Sequence, residues 1–158
     1  GVQYAAAMGF ETVAIARGAA KADLAKRLGA HHYVDSTAGT PVADALTALG
    51  GAKVVLATAG DSEAVAATVD GLTHRGELVV IGASPEPLGI SPFQLITSGR
   101  VVRGHPSGTS RDVQDTMEFS ALHGIRPVTE AVPLDQAGEA YQKMLSGAAR
   151  FRMVLTTG

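Results

Sequence analysis

Apolar residues along this chain come in short unbroken runs that alternate with helix-spaced stripes, and residues 12–35 set the pattern. Val13, Ala14, Ile15 and Ala16 form a run with the length and β-branched content of a buried parallel strand. The run breaks at Arg17-Gly18. A helix is predicted over residues 19–28, with Leu24 and Leu28 one turn apart and Gly29 ending it. A second short strand is predicted over residues 32–35. This strand–helix–strand unit is of the size a βαβ crossover needs.

The same alternation continues. Ahead of the first strand, residues 2–8 read as the tail of a helix with Gly9 as its stop. Thr40 is the expected N-cap of a helix with Pro41 at its first position, and Val42, Ala45, Leu46 and Leu49 give it a half-buried face. Residues 53–57 predict another buried strand, which turns at Thr58-Ala59-Gly60-Asp61 into a helix over residues 62–72. His74-Arg75-Gly76 reads as the return turn into a strand over residues 77–81, which ends at Gly82-Ala83-Ser84. Pro85 and Pro87 force a loop, and a strand follows over residues 101–103. Alternation of this kind predicts an α/β fold with a doubly wound parallel sheet. Beyond residue 105 the pattern changes to a helix over 110–123, a strand over 128–132, a helix over 133–145 and a closing strand over 151–156.

Composition narrows the function class. The 158 residues suffice for one domain with a sizeable core, and a net charge of −2 gives no reason to expect nucleic acid or an anionic membrane as partner. There is no cysteine, so neither disulfides nor thiolate metal ligands arise within the chain; this fits a cytoplasmic protein. No apolar run reaches membrane-spanning length. The five histidines show no ligand spacing: His31 and His32 are adjacent and would point to opposite faces of a strand. Asp112, Asp115 and Glu118 read as a solvated helix face.

In open α/β sheets, ligands sit outside the carboxyl ends of the strands, so chemistry is sought where the strands end. The first strand ends in a small residue, Ala16, followed by the positive Arg17, with Lys21 nearby. A dinucleotide bound there would meet no carboxylate at the strand end, and would meet cations able to attract a 2′-phosphate. The competing reading makes Arg17 a solvated turn residue and Lys21 an ordinary helix-surface lysine. No G-x-G-x-x-G occurs anywhere, and a nucleotide-binding sheet would start with a central strand and a Gly-rich turn. The chain opens on Gly1 inside a helical pattern, and both features are expected upstream of residue 1. Without that strand the two halves of the sheet would lack the element that joins them, and the fragment is expected to be poorly stable alone or to pair with another chain.

The ordered set of stretches resembles the C-terminal part of the zinc-type alcohol dehydrogenases, in the medium-chain dehydrogenase/reductase superfamily. The matching pieces are GVQYAAAMG, VAIARGAAKADLAKRLGAHHYVD, VVLATAG, GLTHRGELVVIGAS, SGRVVRGHPSGTSRDVQDTMEFSALHGIRP and AYQKMLSGAARFRMVLTT. The resemblance implies a Rossmann-type NAD(P)-binding domain over residues 1–104, lacking its first strand and Gly-rich loop. Residues 105–158 would be an α+β segment returning to the catalytic domain. It implies a parent enzyme that moves a hydride between an alcohol and an aldehyde or ketone, with zinc as Lewis acid. The zinc ligands and catalytic residues would belong to the part outside this chain, and the fragment alone would be inactive.

Individual positions follow from the same resemblance. Ala16 stands where NAD-using members carry Asp, so Arg17 makes NADP the better guess, with NAD as the other possibility. Lys21 would lie near the adenosine ribose or its phosphate. Thr58 and Ala59 would line the ribose side. Ile81, Gly82 and Ala83 would meet the nicotinamide, and His105 and Ser107 its carboxamide through backbone groups. Arg152 matches an Arg that reaches the pyrophosphate. The strand near Val101–Arg103 resembles the edge through which members form homo-oligomers. Two other readings stand beside this one: a zinc-independent quinone or enoyl reductase of the same superfamily, and a non-catalytic Rossmann ligand-binding module.

Overall fold

A computed structural model describes residues 1–158. The chain divides into two compact units, Gly1–Thr109 and Ser110–Gly158.

The first unit opens with helix α1, Val2–Ala7, which ends before Gly9 at φ 84°. Strand β1, Val13–Ala16, pairs in parallel with β2, His32–Asp35, and the register sets Val13 beside His32 and Ala16 beside Asp35. The single helix expected between them is split. A 3-10 turn over Ala19–Lys21 leads into α2, Ala22–Arg27. Gly29 follows at φ 104°, and a Cβ there would stand 2.8 Å from the Ala6 Cβ, so α1 lies directly against this turn.

Helix α3, Val42–Ala48, buries Val42 and Leu46. Its cap differs from the expectation. Pro41 is the N-cap, in an extended conformation, and its carbonyl accepts from Ala45 N–H at 3.1 Å. Proline fixes φ but leaves ψ free, and its missing N–H costs nothing at this position. Leu49 falls outside the helix and is exposed.

Strand β3, Ala52–Ala57, pairs in parallel with β4, Leu72–Val80, which pairs in parallel with β5, Val101–Gly104. Between β3 and β4 the helix is shorter than expected: α4 covers Ser62–Ala66, and a 3-10 turn covers Val69–Gly71. Asp61 caps α4, its Oδ1 accepting from Ala64 N–H at 3.1 Å. The expected turn at residues 74–76 lies inside β4 as an irregularity, with Arg75 at φ 57° and the pairing register slipping between Ala52 and Val54. An additional helix, α5, covers Pro92–Ile96. It carries a complete capping box, Ser91 with Gln94, and a proline in its first turn.

Val42, Leu46, Val55, Ala57, Val65, Val69, Leu72 and Leu78 form the core, and Val69 and Leu78 are fully enclosed. Each such side chain contributes about 1.5–3 kcal/mol of apolar burial. Val13, Ile15 and Val34 pack against this cluster, so the β1–β2 pair and the β3–β4–β5 sheet share one core although no hydrogen bonds join them. Strand β3 reads as apolar on both faces, but only one is buried. Val55 and Ala57 face the core, while Val54 and Leu56 remain half-exposed.

The second unit contains α6, Ser110–His123, then β6, Thr129–Pro133, paired in parallel with β7, Arg152–Thr156. Between them a 3-10 turn over Leu134–Gln136 leads into α7, Ala137–Leu145.

Candidate functional site

Parallel register brings three strand ends into line. Ala57 lies beside Val80, and Val80 beside Gly104. Thr58, Ile81 and His105 therefore leave the sheet along one edge, the carboxyl edge where such sheets bind ligands.

The loops that follow are locked backbone to backbone. The N–H groups of Ile81 and Gly82 both donate to the Ala57 carbonyl at 3.0 Å. A Cβ at Gly82 would overlap the Ala59 carbonyl oxygen and lie 2.8 Å from the Thr58 carbonyl carbon. A Cβ at Gly60 would lie 2.8 Å from the Ala83 carbonyl oxygen. Each loop thus presents a glycine to the other, and only glycine permits this approach. His105 N–H donates to the Val80 carbonyl at 3.0 Å, which ties the third strand end to the same edge. Thr58, Ala59, Ile81, Ala83, His105 and Ser107 are all exposed there.

The second group of expected residues lies at the end of β1. Arg17 is exposed, and Lys21 is half-buried at the close of the 3-10 turn. Ala16 contributes no carboxylate, but its neighbour across the pair, Asp35, does. That carboxylate is committed to backbone and hydroxyl donors. Asp35 Oδ1 accepts from Gly18 N–H at 2.8 Å, Thr37 N–H at 2.9 Å and Thr37 Oγ1 at 2.7 Å. The Thr37 hydroxyl first, then its N–H and that of Gly18, hold the Asp35 carboxyl below the ordinary carboxylate range. Tyr33 hydroxyl donates to the Gly18 carbonyl at 2.6 Å, and burial followed by the Asp35 charge raises its pKa. Neither Tyr33 nor Asp35 is singled out by the sequence. Their spacing of two along a strand next to an Arg-Gly turn is the signal that would have found them.

Arg152 opens β7 in the second unit, where it is exposed. No group of three or more His, Cys, Asp or Glu side chains is placed to hold a metal ion. No helix is long and apolar enough to cross a membrane.

A nicotinamide dinucleotide fits these two groups in kind. One end offers guanidinium and ammonium donors beside an Asp35 carboxylate already taken up by Gly18 and Thr37 donors, and the other offers glycine-containing loops at adjacent strand ends.

Known proteins place the chain. The family profile described as zinc-binding dehydrogenase matches residues 1–121. The alcohol dehydrogenase notN of an Aspergillus strain is 41% identical over 155 residues, covering 98% of this chain and 45% of that relative. The Bacillus subtilis protein named probable formaldehyde dehydrogenase AdhA is 36% identical over 155 residues, covering 98% of this chain and 43% of its own length. Among solved structures, a cinnamyl alcohol dehydrogenase from Sorghum bicolor superposes with a TM-score of 0.86 at 27% identity, over 98% of this chain and 43% of that one. A Helicobacter pylori structure described as CAD complexed with NADP(H) gives 0.78 at 27% identity, over 98% of this chain and 43% of that one. The chain spans about half the length of the curated relatives it matches. With a fold of parallel α/β pairs and a profile match over most of its residues, the chain belongs to the zinc-binding dehydrogenase family.

Proposed function

We propose that this chain is the cofactor-binding portion of a cytoplasmic alcohol dehydrogenase, and that it takes NADPH in preference to NADH. The observation that carries the cofactor choice is the end of β1: Ala16 has no carboxylate, and the exposed Arg17 follows it with Lys21 in the next turn. A ribose 2′-hydroxyl prefers an acidic partner, and a 2′-phosphate prefers a guanidinium. The NADP(H) complex of the Helicobacter pylori relative supports the same choice.

Residues 1–104 form the cofactor domain in this reading, and residues 105–158 belong with the catalytic domain. When bound, the nicotinamide supplies the hydride acceptor or donor at its C4. Thr58 and Ala59 line the ribose, and Ile81, Gly82 and Ala83 form the floor against the nicotinamide. Their backbones interlock with those of Ala57, Ala59 and Gly60. His105 and Ser107 offer backbone groups to the carboxamide. The substrate is a small alcohol or carbonyl compound. Zinc, where it polarises the substrate oxygen, is held by residues outside this chain. Strand β5 pairs with β4 alone, and its Val101 and Arg103 are exposed, which supports a homo-oligomer formed along that edge.

Titration of the full-length protein with NADPH and NADH tests the cofactor reading. NADPH is expected to bind about tenfold tighter or more, with most of that margin lost in Arg17→Ala. Tighter binding of NADH would sink it.

A further inference from the structure

The turn that presents Arg17 is held by two side chains from the neighbouring strand. Tyr33 and Asp35 stand two residues apart on β2, so both point to one side of it. Between them they take both polar groups of Gly18. Asp35 Oδ1 accepts its N–H at 2.8 Å, and the Tyr33 hydroxyl donates to its carbonyl at 2.6 Å. Asp35 is itself held by Thr37, through both the N–H and the hydroxyl. Gly18 sits at φ 74° and ψ 155°, a conformation that side chains rarely adopt, and nothing lies within 4 Å of where a Cβ would be. Glycine is needed there for its dihedrals and not for lack of space.

We infer that Tyr33 and Asp35 are positioning residues for the cofactor's adenosine end, which set NADPH over NADH by fixing the Gly18 backbone and with it Arg17 and the start of the turn that carries Lys21. This rests on the reading of Arg17 given above. Arg17 is pinned on one side by Ala16 in β1 and on the other by a residue whose two peptide links are both gripped. Only its side chain is left to order on binding, and a preorganised donor loses less on association.

The inference opposes what charge alone would give. Asp35 is an anion beside a proposed phosphate site, so by charge its removal should strengthen NADPH binding. By positioning, its removal should weaken NADPH binding. Asp35→Asn separates the two, because the amide keeps an acceptor oxygen for Gly18 while discarding the charge.

The test is the dissociation constant of NADPH and of NADH for the full-length protein and its variants. Asp35→Ala and Tyr33→Phe are each expected to cut the NADPH-over-NADH preference about three- to tenfold, the span of one lost hydrogen bond, with NADH held within about twofold. Asp35→Asn should retain or increase the preference. The inference is overturned if both lowering variants leave the ratio unmoved, if they weaken the two cofactors alike, or if Asp35→Ala raises the preference. Tyr33→Phe removes one hydroxyl and carries the test should Asp35→Ala fail to fold. Arg17→Ala reports on the underlying reading: a ratio unchanged by it removes the phosphate site itself, whereas a ratio lowered by it but not by the β2 variants removes only the positioning.

Discussion

Arg100 reaches back across the sequence to Asp70, its Nη1 donating to Asp70 Oδ1 at 2.9 Å and its Nη2 to the Asp70 carbonyl at 3.2 Å. The same guanidinium donates to the Leu72 carbonyl from Nε and Nη2, and to the Gln94 carbonyl from Nη1. Gln94, the capping-box residue of α5, donates in turn to Asp70 Oδ2 at 2.8 Å. One side chain, only 11% exposed, therefore fastens the residues just before β5 to the entry of β4 and to α5.

Removing Arg100 takes a donor from the carbonyls of Asp70, Leu72 and Gln94. Arg100→Ala is expected to lower unfolding stability by about 2–4 kcal/mol, because the charge-assisted bonds of a mostly buried guanidinium to three carbonyls and the Asp70 carboxylate are lost. Asp70 is 56% exposed, so Asp70→Asn should cost less than half as much. Urea unfolding of the full-length protein distinguishes the two. Equal effects would mean that the ion pair, and not the carbonyl contacts, carries the energy.

The reciprocal approach of Gly60 to Ala83 and Gly82 to Ala59 makes a second expectation. In Gly82→Ala the new methyl has no flexible neighbour to displace, since the atoms it meets are backbone. The loops must part, at a cost of about 1–3 kcal/mol. NADPH and NADH should weaken together, since the floor serves the part they share. A change confined to NADPH would contradict the assignment of this floor to the nicotinamide end.

What could be read from the sequence, and what could not, divides by range. Strands β1, β3 and β5 were legible because each is a short apolar run bounded by Gly, Arg or a polar turn, a purely local signal. Helix α5 is absent from the sequence reading although Ser91, Pro92 and Gln94 spell its start. Five residues are too few to show a helical period, so the cap was the only cue. Residues 74–76 carry a turn signal, but Leu72 already pairs with Ala52, and Arg75 merely kinks a longer strand. At the candidate site, Arg17 and the Gly82 turn follow from where strands end. The grip of Tyr33 and Asp35 on Gly18 depends on the register that sets Asp35 beside Ala16, and the sequence does not print register.

The α5 cap offers a clean local test of that lesson. Ser91 Oγ accepts from Gln94 N–H at 3.3 Å, and Gln94 Oε1 accepts from Ser91 N–H at 2.9 Å. Ser91→Ala should cost about 0.5–2 kcal/mol. Gln94→Ala should cost more than Ser91→Ala, because it breaks the bond to Asp70 as well as the cap. The reverse order would show that the α5 start is held by the cap alone.

Acid should act on the Gly18 turn through Asp35. Its carboxyl titrates below the ordinary value of 3.8, held there first by the Thr37 hydroxyl and then by backbone N–H groups. A carboxyl whose folded pKa is depressed binds fewer protons when folded than when unfolded. Its stabilising contribution is therefore full above 3.8 and is lost as the pH falls through the lower folded value. Glu130 is depressed in the same sense, chiefly by its hydrogen bond to Lys143, so the acid sensitivity of the whole protein does not isolate either group. The difference between the wild-type protein and Asp35→Asn does, since the amide has no proton to take up. That difference is expected to be level above about pH 5 and to shrink below the ordinary carboxyl value as the wild-type carboxylate is neutralised. Urea midpoints measured for both proteins across that range decide it. A gap that stays constant into strong acid would mean that the Asp35 charge contributes nothing to holding the turn, and that its oxygen alone fastens Gly18.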